Sequence, residues 1–313
     1  MRALVVVSYG SSDLVAENLS SWTGGAAEGW RVVVVDNATT ADERRRMTGL
    51  AQASGWTLVA PDANLGFGGG CAAGVAAAGD VTSILLLNPD AHVDVATADA
   101  LAGRVEADTR LMLAPRILDS TGRPGFSGAR LDVRSGRSRA WSTSGGVPWL
   151  TGACLALGSE AWHRLGGIAH EYFLYWEDVD LGWRWDAAGG RSEIAEDLRC
   201  VHDPGGTQRG RTASRAKSPT YYYYDTRNRL VFARRHLPRR DRARWALHAP
   251  GYAWSCLMRG GRRQLLDPAA TLWPALRGTL AGLVALVGPA RSSHAGEGGV
   301  GVGRGPKGRA HPS

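Results

Sequence analysis

His170-Glu-Tyr-Phe-Leu-Tyr-Trp-Glu-Asp-Val-Asp180 gathers four carboxylates and four aromatic rings into eleven residues. The residues that follow predict a helix over 179–188. Burying the adjacent acids Glu177 and Asp178 in an apolar core carries a steep desolvation cost. A helix N-terminus favours them through its dipole, which places them at the mouth of a cleft. Aromatic neighbours add a flat stacking surface, so the stretch suits a sugar face and a general base. Taken alone, it reads equally well as an acidic helix cap beside core aromatics.

Working outward, Asn88-Pro-Asp90 ends the apolar run Ser83-Ile-Leu-Leu-Leu87. A strand there delivers Asp90 to the carboxyl edge of a sheet, where open α/β folds bind ligands. Pro89 pushes Asn88 toward an extended conformation and stops the strand. A hard cation takes oxygen ligands and bridges carboxylate to diphosphate, a role open to Asp90. An Asn-Pro-Asp turn is the other reading.

Asn64-Leu-Gly-Phe-Gly-Gly-Gly-Cys-Ala-Ala-Gly74 permits close backbone approach to a ligand. The alanines after it read as a short helix whose N-terminal N–H groups suit an anion. Gly68-Gly-Gly70-Cys-Ala-Ala73 also nominally matches a dinucleotide fingerprint, with Asp90 near the spacing of a ribose-binding acid. A Rossmann-type NAD(P)-dependent oxidoreductase is therefore one rival. The match follows roughly three strand–helix units, whereas the fingerprint belongs in the first βα turn. Ala3-Leu-Val-Val-Val-Ser-Tyr9 and Arg31-Val-Val-Val-Val-Asp-Asn37 read as buried parallel strands with polar carboxyl ends. Asp36 there is either a hydrogen-bond acceptor for a base or ribose, or a strand-end turn residue.

In order and spacing, these segments resemble glycosyltransferase family 2, the inverting enzymes of the GT-A fold, over about residues 1–235. The resemblance rests on Val6-Val-Ser-Tyr9, Val34-Val-Asp-Asn37, Asn64-Leu-Gly-Phe67 and Leu87-Asn-Pro-Asp90. It continues through Thr151-Gly-Ala-Cys154, Gly166-Gly167, Tyr175-Trp-Glu-Asp-Val-Asp-Leu181, His202 and Arg227-Asn228. It is most like the bacterial branch that includes rhamnosyltransferases of cell-wall and polysaccharide assembly. The resemblance implies an α/β GT-A nucleotide-diphospho-sugar transferase fold. Ser8, Tyr9, Asp36 and Asn37 would line the donor pocket, with Asp36 toward the base. Asn64, Gly66 and Phe67 would border the nucleotide and its phosphates. Asp90 matches the final acid of the family's Asp-x-Asp metal motif. Asn88 stands at its first position, on the donor side, so one carboxylate would touch the metal, Mg²⁺ or Mn²⁺. His202 matches a histidine near metal and diphosphate. Asp178 matches the catalytic base, with Trp176 and Glu177 on the acceptor side. Arg227-Asn228 matches a late pair without a derived role.

At 313 residues the chain can bury one large α/β core with an extension. Strand-like runs at 3–7, 31–35, 56–60, 84–87 and 111–114 alternate with helical ones at 12–22, 42–53, 70–78 and 97–107. That alternation predicts a mostly parallel central sheet flanked by helices. Residues 119–148 read as loops or a short hairpin. A catalytic domain is expected over 1–228, with a nucleotide-sugar half at about 1–115 and an acceptor half at about 116–228. A basic helical C-terminal extension is expected over 229–290 and a disordered tail over 291–313. The four cysteines are scattered, which argues against a zinc site or disulfide framework and fits a reduced setting. The strand at the very start leaves no room for a signal peptide, so a cytoplasmic location is expected.

Charge is divided unevenly. Residues 227–313 carry a net +13, leaving −5 for the remainder. Arginines from Arg229 to Arg244 precede an aromatic, apolar stretch holding Trp245, Tyr252, Trp254 and Leu257. Such a mixture suits an anionic bilayer surface, or else a solvated basic helix packed on the catalytic domain. No nucleic-acid motif accompanies it, so no nucleic-acid partner is expected. The run at 278–290 falls short of the roughly 20 residues of a membrane span. The expectation is a metal-dependent inverting transferase, peripheral on the inner face of the membrane. It would move a sugar from a nucleotide-sugar donor, dTDP-L-rhamnose first by resemblance, to a glycan or polyprenyl-linked acceptor. A non-catalytic nucleotide-sugar or membrane-binding module is the other rival.

Overall fold

A computed structural model describes residues 1–203 and 217–288. The expected tail at 291–313 lies outside the described residues. The chain opens with β1 (Arg2–Ser8), α1 (Ser12–Asn18), β2 (Trp30–Asp36) and α2 (Ala41–Ser54). It continues through β3 (Thr57–Val59), α3 (Gly66–Ala78), β4 (Ser83–Leu87) and the two-residue β5 (Ala91–His92). Next come α4 (Val95–Ala107) and β6 (Leu111–Leu118). The valine-rich runs form strands because branched side chains pack well on a pleated surface. Leu4 and Val6 of β1 enter one core layer, with α1, α2 and α4. Ala3, Val5 and Val7 enter the opposite layer, with α3. Burial on both faces explains why these strands read as continuous apolar runs.

Residues 119–148, expected to be loops or a short hairpin, hold the hairpin of β7 (Gly128–Asp132) and β8 (Arg137–Ala140), which β9 (Val147–Leu150) extends to a three-stranded antiparallel sheet in the order β8-β7-β9. Only β7 alternates clearly between buried and half-buried side chains, and β8 is exposed throughout. The short alternation was therefore too weak to declare the full sheet. The chain returns as β10 (Cys154–Gly158), α5 (Ser159–Leu165), α6 (Glu177–Ala187) and β11 (Arg191–His202). The main sheet has eight strands in the order β3-β2-β1-β4-β10-β6-β11-β5. Four of its pairings are parallel; β10 inserts antiparallel between β4 and β6, and β5 closes antiparallel on β11.

Four helices follow: α7 (Pro219–His236), α8 (Arg239–Leu247), α9 (Ala249–Arg259) and α10 (Leu272–Val287). The boundary expected at 228 falls inside α7. Trp245, Tyr252 and Leu257, expected at a membrane surface, are buried. Trp245 and Tyr252 share a core cluster with Trp176, Phe232 and Trp149. Arg229 is buried as well. Its guanidinium lies 4.5 Å from the Trp245 ring and 4.6 Å from that of Tyr252. It donates to the carbonyls of Ser135, Gly136 and Trp245. Part of the basic, aromatic composition thus encodes an internal cation–π joint. No helix among the described residues is long and apolar enough to cross a membrane.

Candidate active site

The carboxyl ends of β1, β2 and β4 point to one edge, and Ser8, Tyr9, Asp36, Asn37, Asn88 and Asp90 lie at or just past them. Ser8 and Asp36 are register partners on β1 and β2, both fully buried. Asp36 Oδ2 accepts from Arg44 Nε at 2.9 Å. Its Oδ1 is buried with no partner among the described residues, and so remains available as an acceptor. Ser8 Oγ lies 2.9 Å from Ser11 Oγ. Tyr9, one residue beyond the strand, is 58% exposed and stands at the rim.

Asn37 holds the next loop. Its amide donates to Gly66 O at 3.0 Å, and its Oδ1 accepts from Leu65 N at 2.8 Å. Asn64 Oδ1 accepts from Gly66 N. Both asparagines thereby shape the start of α3. Gly66 has φ 72°, and a Cβ there would sit 2.2 Å from Phe173 O. No other residue permits that approach. The contact is sealed by Phe67 N donating to Phe173 O at 2.7 Å. The later glycines press α3 onto the sheet: a Cβ at Gly70 would strike Val7, and one at Gly74 would strike Val5. They serve helix–strand packing within α3, not a phosphate loop after the first strand.

Asn88 and Asp90 follow β4. Asn88 N donates to Ala153 O at 2.9 Å, and Pro89 O accepts from Asn18 Nδ2. The β11–β5 register pairs His202 with Ala91. This brings His202 Nε2 to 3.1 Å from Asp90 Oδ1, with both side chains largely buried. No group of three or more His, Cys, Asp or Glu gathers among the described residues. Among the described residues, this pair offers a metal one carboxylate and one imidazole.

The acidic stretch starts α6 at Glu177, two residues before the expected position. Gly182 lets α6 lie flush on β9, since a Cβ there would sit 2.6 Å from Trp149 Cβ. Asp178 is half-buried, and its Oδ1 accepts from Val179 N at 2.8 Å. Burial, with a smaller contribution from Asp225, raises its carboxyl to about 7, although the N–H groups of Val179 and Gly152 favour the charged form. Gly152 also faces the Phe67 ring. Asp178, Phe67 and the 152–153 turn that holds Asn88 are thus neighbours.

Glu177 is buried, and its Oε2 has no partner among the described residues. Burial, then the charges of Asp178 and Asp180, push it well above the usual carboxylate range. Asp180 is fully buried within Tyr172, Arg184 and His236, at 3.0, 2.6 and 2.6 Å. Burial alone would raise its carboxyl, but His236 and the arginines hold it below the usual range. Trp176, expected to offer a stacking surface, is 6% exposed. Its indole donates to Asp225 Oδ1 at 3.0 Å and packs on Phe232, Trp245 and Tyr252. The half-buried rings nearby are Phe173, stacked on Tyr224, and Tyr175, edge-on to Tyr221.

The Arg227-Asn228 pair acquires a role. Asn228 is buried, and its Nδ2 donates to the carbonyls of Tyr172, Leu174 and Tyr175 at 2.7, 2.8 and 2.9 Å. Phe173, Tyr175 and Trp176 all have positive φ, between 59° and 73°. Such backbone costs on the order of 1–3 kcal/mol per residue and persists only where the surroundings impose it. Asn228 imposes it here, with Arg227 bridging Asn228 Oδ1 and Glu171 O. No local pattern links residue 228 to residue 172.

No family model matches the chain. Over 231 residues it is 25% identical to N-acetylglucosaminyl-diphospho-decaprenol L-rhamnosyltransferase of Mycobacterium tuberculosis, covering 64% of this chain and 75% of that protein. Among solved structures, GalNAc-T7 with UDP, GalNAc and Mn²⁺ superposes with a TM-score of 0.59 at 12% identity, over 88% of this chain. The chain spans 55% of that protein's length. The mannosyltransferase PcManGT of Pyrobaculum calidifontis, with GDP-Man and Mn²⁺, superposes at 0.51 with 17% identity, over 92% of this chain and 76% of that one. The fold is that of the GT-A glycosyltransferases. Within this GT-A fold, Asp36 and Asp90 lie at the carboxyl ends of β2 and β4, and the sequence resemblance is rhamnosyltransferase-like.

Proposed function

We propose that the chain is an inverting glycosyltransferase that moves a sugar from a nucleoside-diphosphate donor to a hydroxyl of a lipid-linked glycan. L-Rhamnose, the sugar named for the M. tuberculosis relative, is the first choice, with dTDP-L-rhamnose as its donor by the family resemblance. One observation carries the reading. Asp178, a half-buried carboxyl raised to about 7, lies against Gly152, in the same 152–153 turn that receives Asn88 N, two residues before the Asp90–His202 pair.

Asp36 accepts from the base through its free Oδ1, and the 64–67 loop borders the phosphates. The Asp90 carboxylate and the His202 imidazole would hold Mg²⁺ or Mn²⁺ beside the diphosphate. When bound, the cation neutralises charge on the departing diphosphate. Asp178 takes the proton of the acceptor hydroxyl as its oxygen attacks the anomeric carbon opposite the leaving group, a contribution of roughly 10²–10⁴-fold. Its raised carboxyl makes it a competent base near neutrality. Phe173 and Tyr175, fixed by Asn228, wall the acceptor side and exclude water.

The test is a panel of nucleotide sugars, offered with and without Mn²⁺ or Mg²⁺ to a polyprenyl-diphospho-N-acetylglucosamine acceptor. Product anomeric configuration is read by NMR. Turnover with inversion is expected, lost in chelator and in Asp90→Ala. Full activity in excess chelator, or a retained anomer, would overturn the respective part of the reading.

A further inference from the structure

The outer face of α10 has no counterpart in the catalytic account. Trp273, Leu276, Leu280, Val284 and Val287 are 57, 49, 53, 69 and 84% exposed. Their spacing places them on one stripe down the helix. The opposite side is locked. Ala275, Gly278, Thr279 and Gly282 are buried, and a Cβ at Gly278 would lie 2.2 Å from Tyr223 O of α7. One at Gly282 would lie 2.9 Å from Arg227 O. α10 therefore cannot roll its stripe inward. A helix on a water-facing surface carries polar residues outward; α10 carries a single charge, Arg277, among sixteen residues.

We propose that this stripe seats the protein on an anionic lipid bilayer, with α10 lying in the plane of the interface. Charge selects the partner. Residues 239–288 contain eight arginines against two aspartates. Arg239, Arg240, Arg262 and Arg277 are exposed. Trp254 of the neighbouring α9 is 53% exposed and adds an interfacial ring. A second copy of the chain fits less well. It would bring two copies of Arg277 together, and the stripe, about 24 Å by 10 Å, offers far less than the roughly 800 Å² per partner of a stable interface. α10 rests on the α7 turn holding Arg227 and Asn228. Docking therefore sets the strained acceptor segment one helix layer above the lipid. The surface itself stands on the geometry of α10 and does not depend on the sugar-transfer reading.

Flotation of the full-length protein with vesicles tests it, comparing phosphatidylglycerol–phosphatidylcholine mixtures with phosphatidylcholine alone. Binding to the anionic vesicles is expected, with a part that survives 0.5 M salt. Leu280→Glu/Val284→Glu changes only exposed positions and should lower partitioning at least tenfold with thermal unfolding unchanged. Arg239→Glu/Arg240→Glu should remove mainly the salt-sensitive part. Equal partitioning of wild type and Leu280→Glu/Val284→Glu, or no vesicle binding at all, overturns the proposal. So does a concentration-dependent dimer, seen by light scattering, that the same pair of substitutions abolishes while vesicle binding persists.

Discussion

At the scale of single residues, Asp178 and Glu177 show how one step along the chain separates two carboxyls. Both lie in the first turn of α6, and burial raises both. Asp178 has donors from Val179 and Gly152, whereas Glu177 Oε2 has none among the described residues. Asp178 is consequently the group that ionises first and can act as base near pH 7. The kcat/KM profile should rise with pH through an apparent pKa of about 7. Because the two acids interact, that value belongs to the pair. The sign follows from the role: protonation at low pH removes the base. Asp178→Asn should cut turnover by at least ~10²-fold while donor affinity, measured by calorimetry, stays within about twofold. Near-wild-type turnover of that variant would move the role to Glu177.

At the scale of elements, α7 determines the shape of the acceptor segment without belonging to it. Asn228 makes three hydrogen bonds to a backbone whose positive-φ residues relax once released. Each such bond contributes about 1 kcal/mol net, so Asn228→Ala should cost roughly 2–3 kcal/mol of stability in urea titrations. It should lower kcat and raise the acceptor KM, with a smaller rise in donor KM because Asn37 still holds the donor loop that Phe173 also touches. Asn228→Asp, which keeps the shape but lacks the N–H donors, should behave like Asn228→Ala. Wild-type activity in either variant would reduce Asn228 to a packing residue. Strands β1 to β4 and β6 and helices α1, α2 and α4 were legible because buried apolar runs and capped helices declare themselves locally, whereas β10 and β11 of the same sheet were not. Thr40 caps α2 and Asp94 caps α4 by accepting from the backbone three residues on. The clamp was not legible, since 56 residues separate Asn228 from Tyr172. Nor could composition tell that Trp176, Trp245 and Tyr252 face inward while Trp273 faces out. Only the packing of α7 against its neighbours decides that.

At the scale of the whole molecule, one core joins what the charge distribution divides. The N-terminal part is net acidic and the C-terminal part basic, yet Trp176 of the acidic stretch shares a cluster with Trp245 and Tyr252 of the basic one. Donor edge, acceptor segment and outer helices are therefore expected to lose structure together. The thiols supply a clock for that event. Cys71, Cys154, Cys200 and Cys256 are all free and buried, on α3, β10, β11 and α9. Burial drives the Cys71 and Cys256 thiols upward, away from the reactive thiolate. A chromogenic disulfide reagent should find no reactive sulfur in the native protein, then four in a single exponential as urea opens it. Were α9 to detach first, one sulfur would colour the solution ahead of the other three. Mass spectrometry of the once-labelled species would then locate the tag on Cys256, and the helices would count as a separately melting layer.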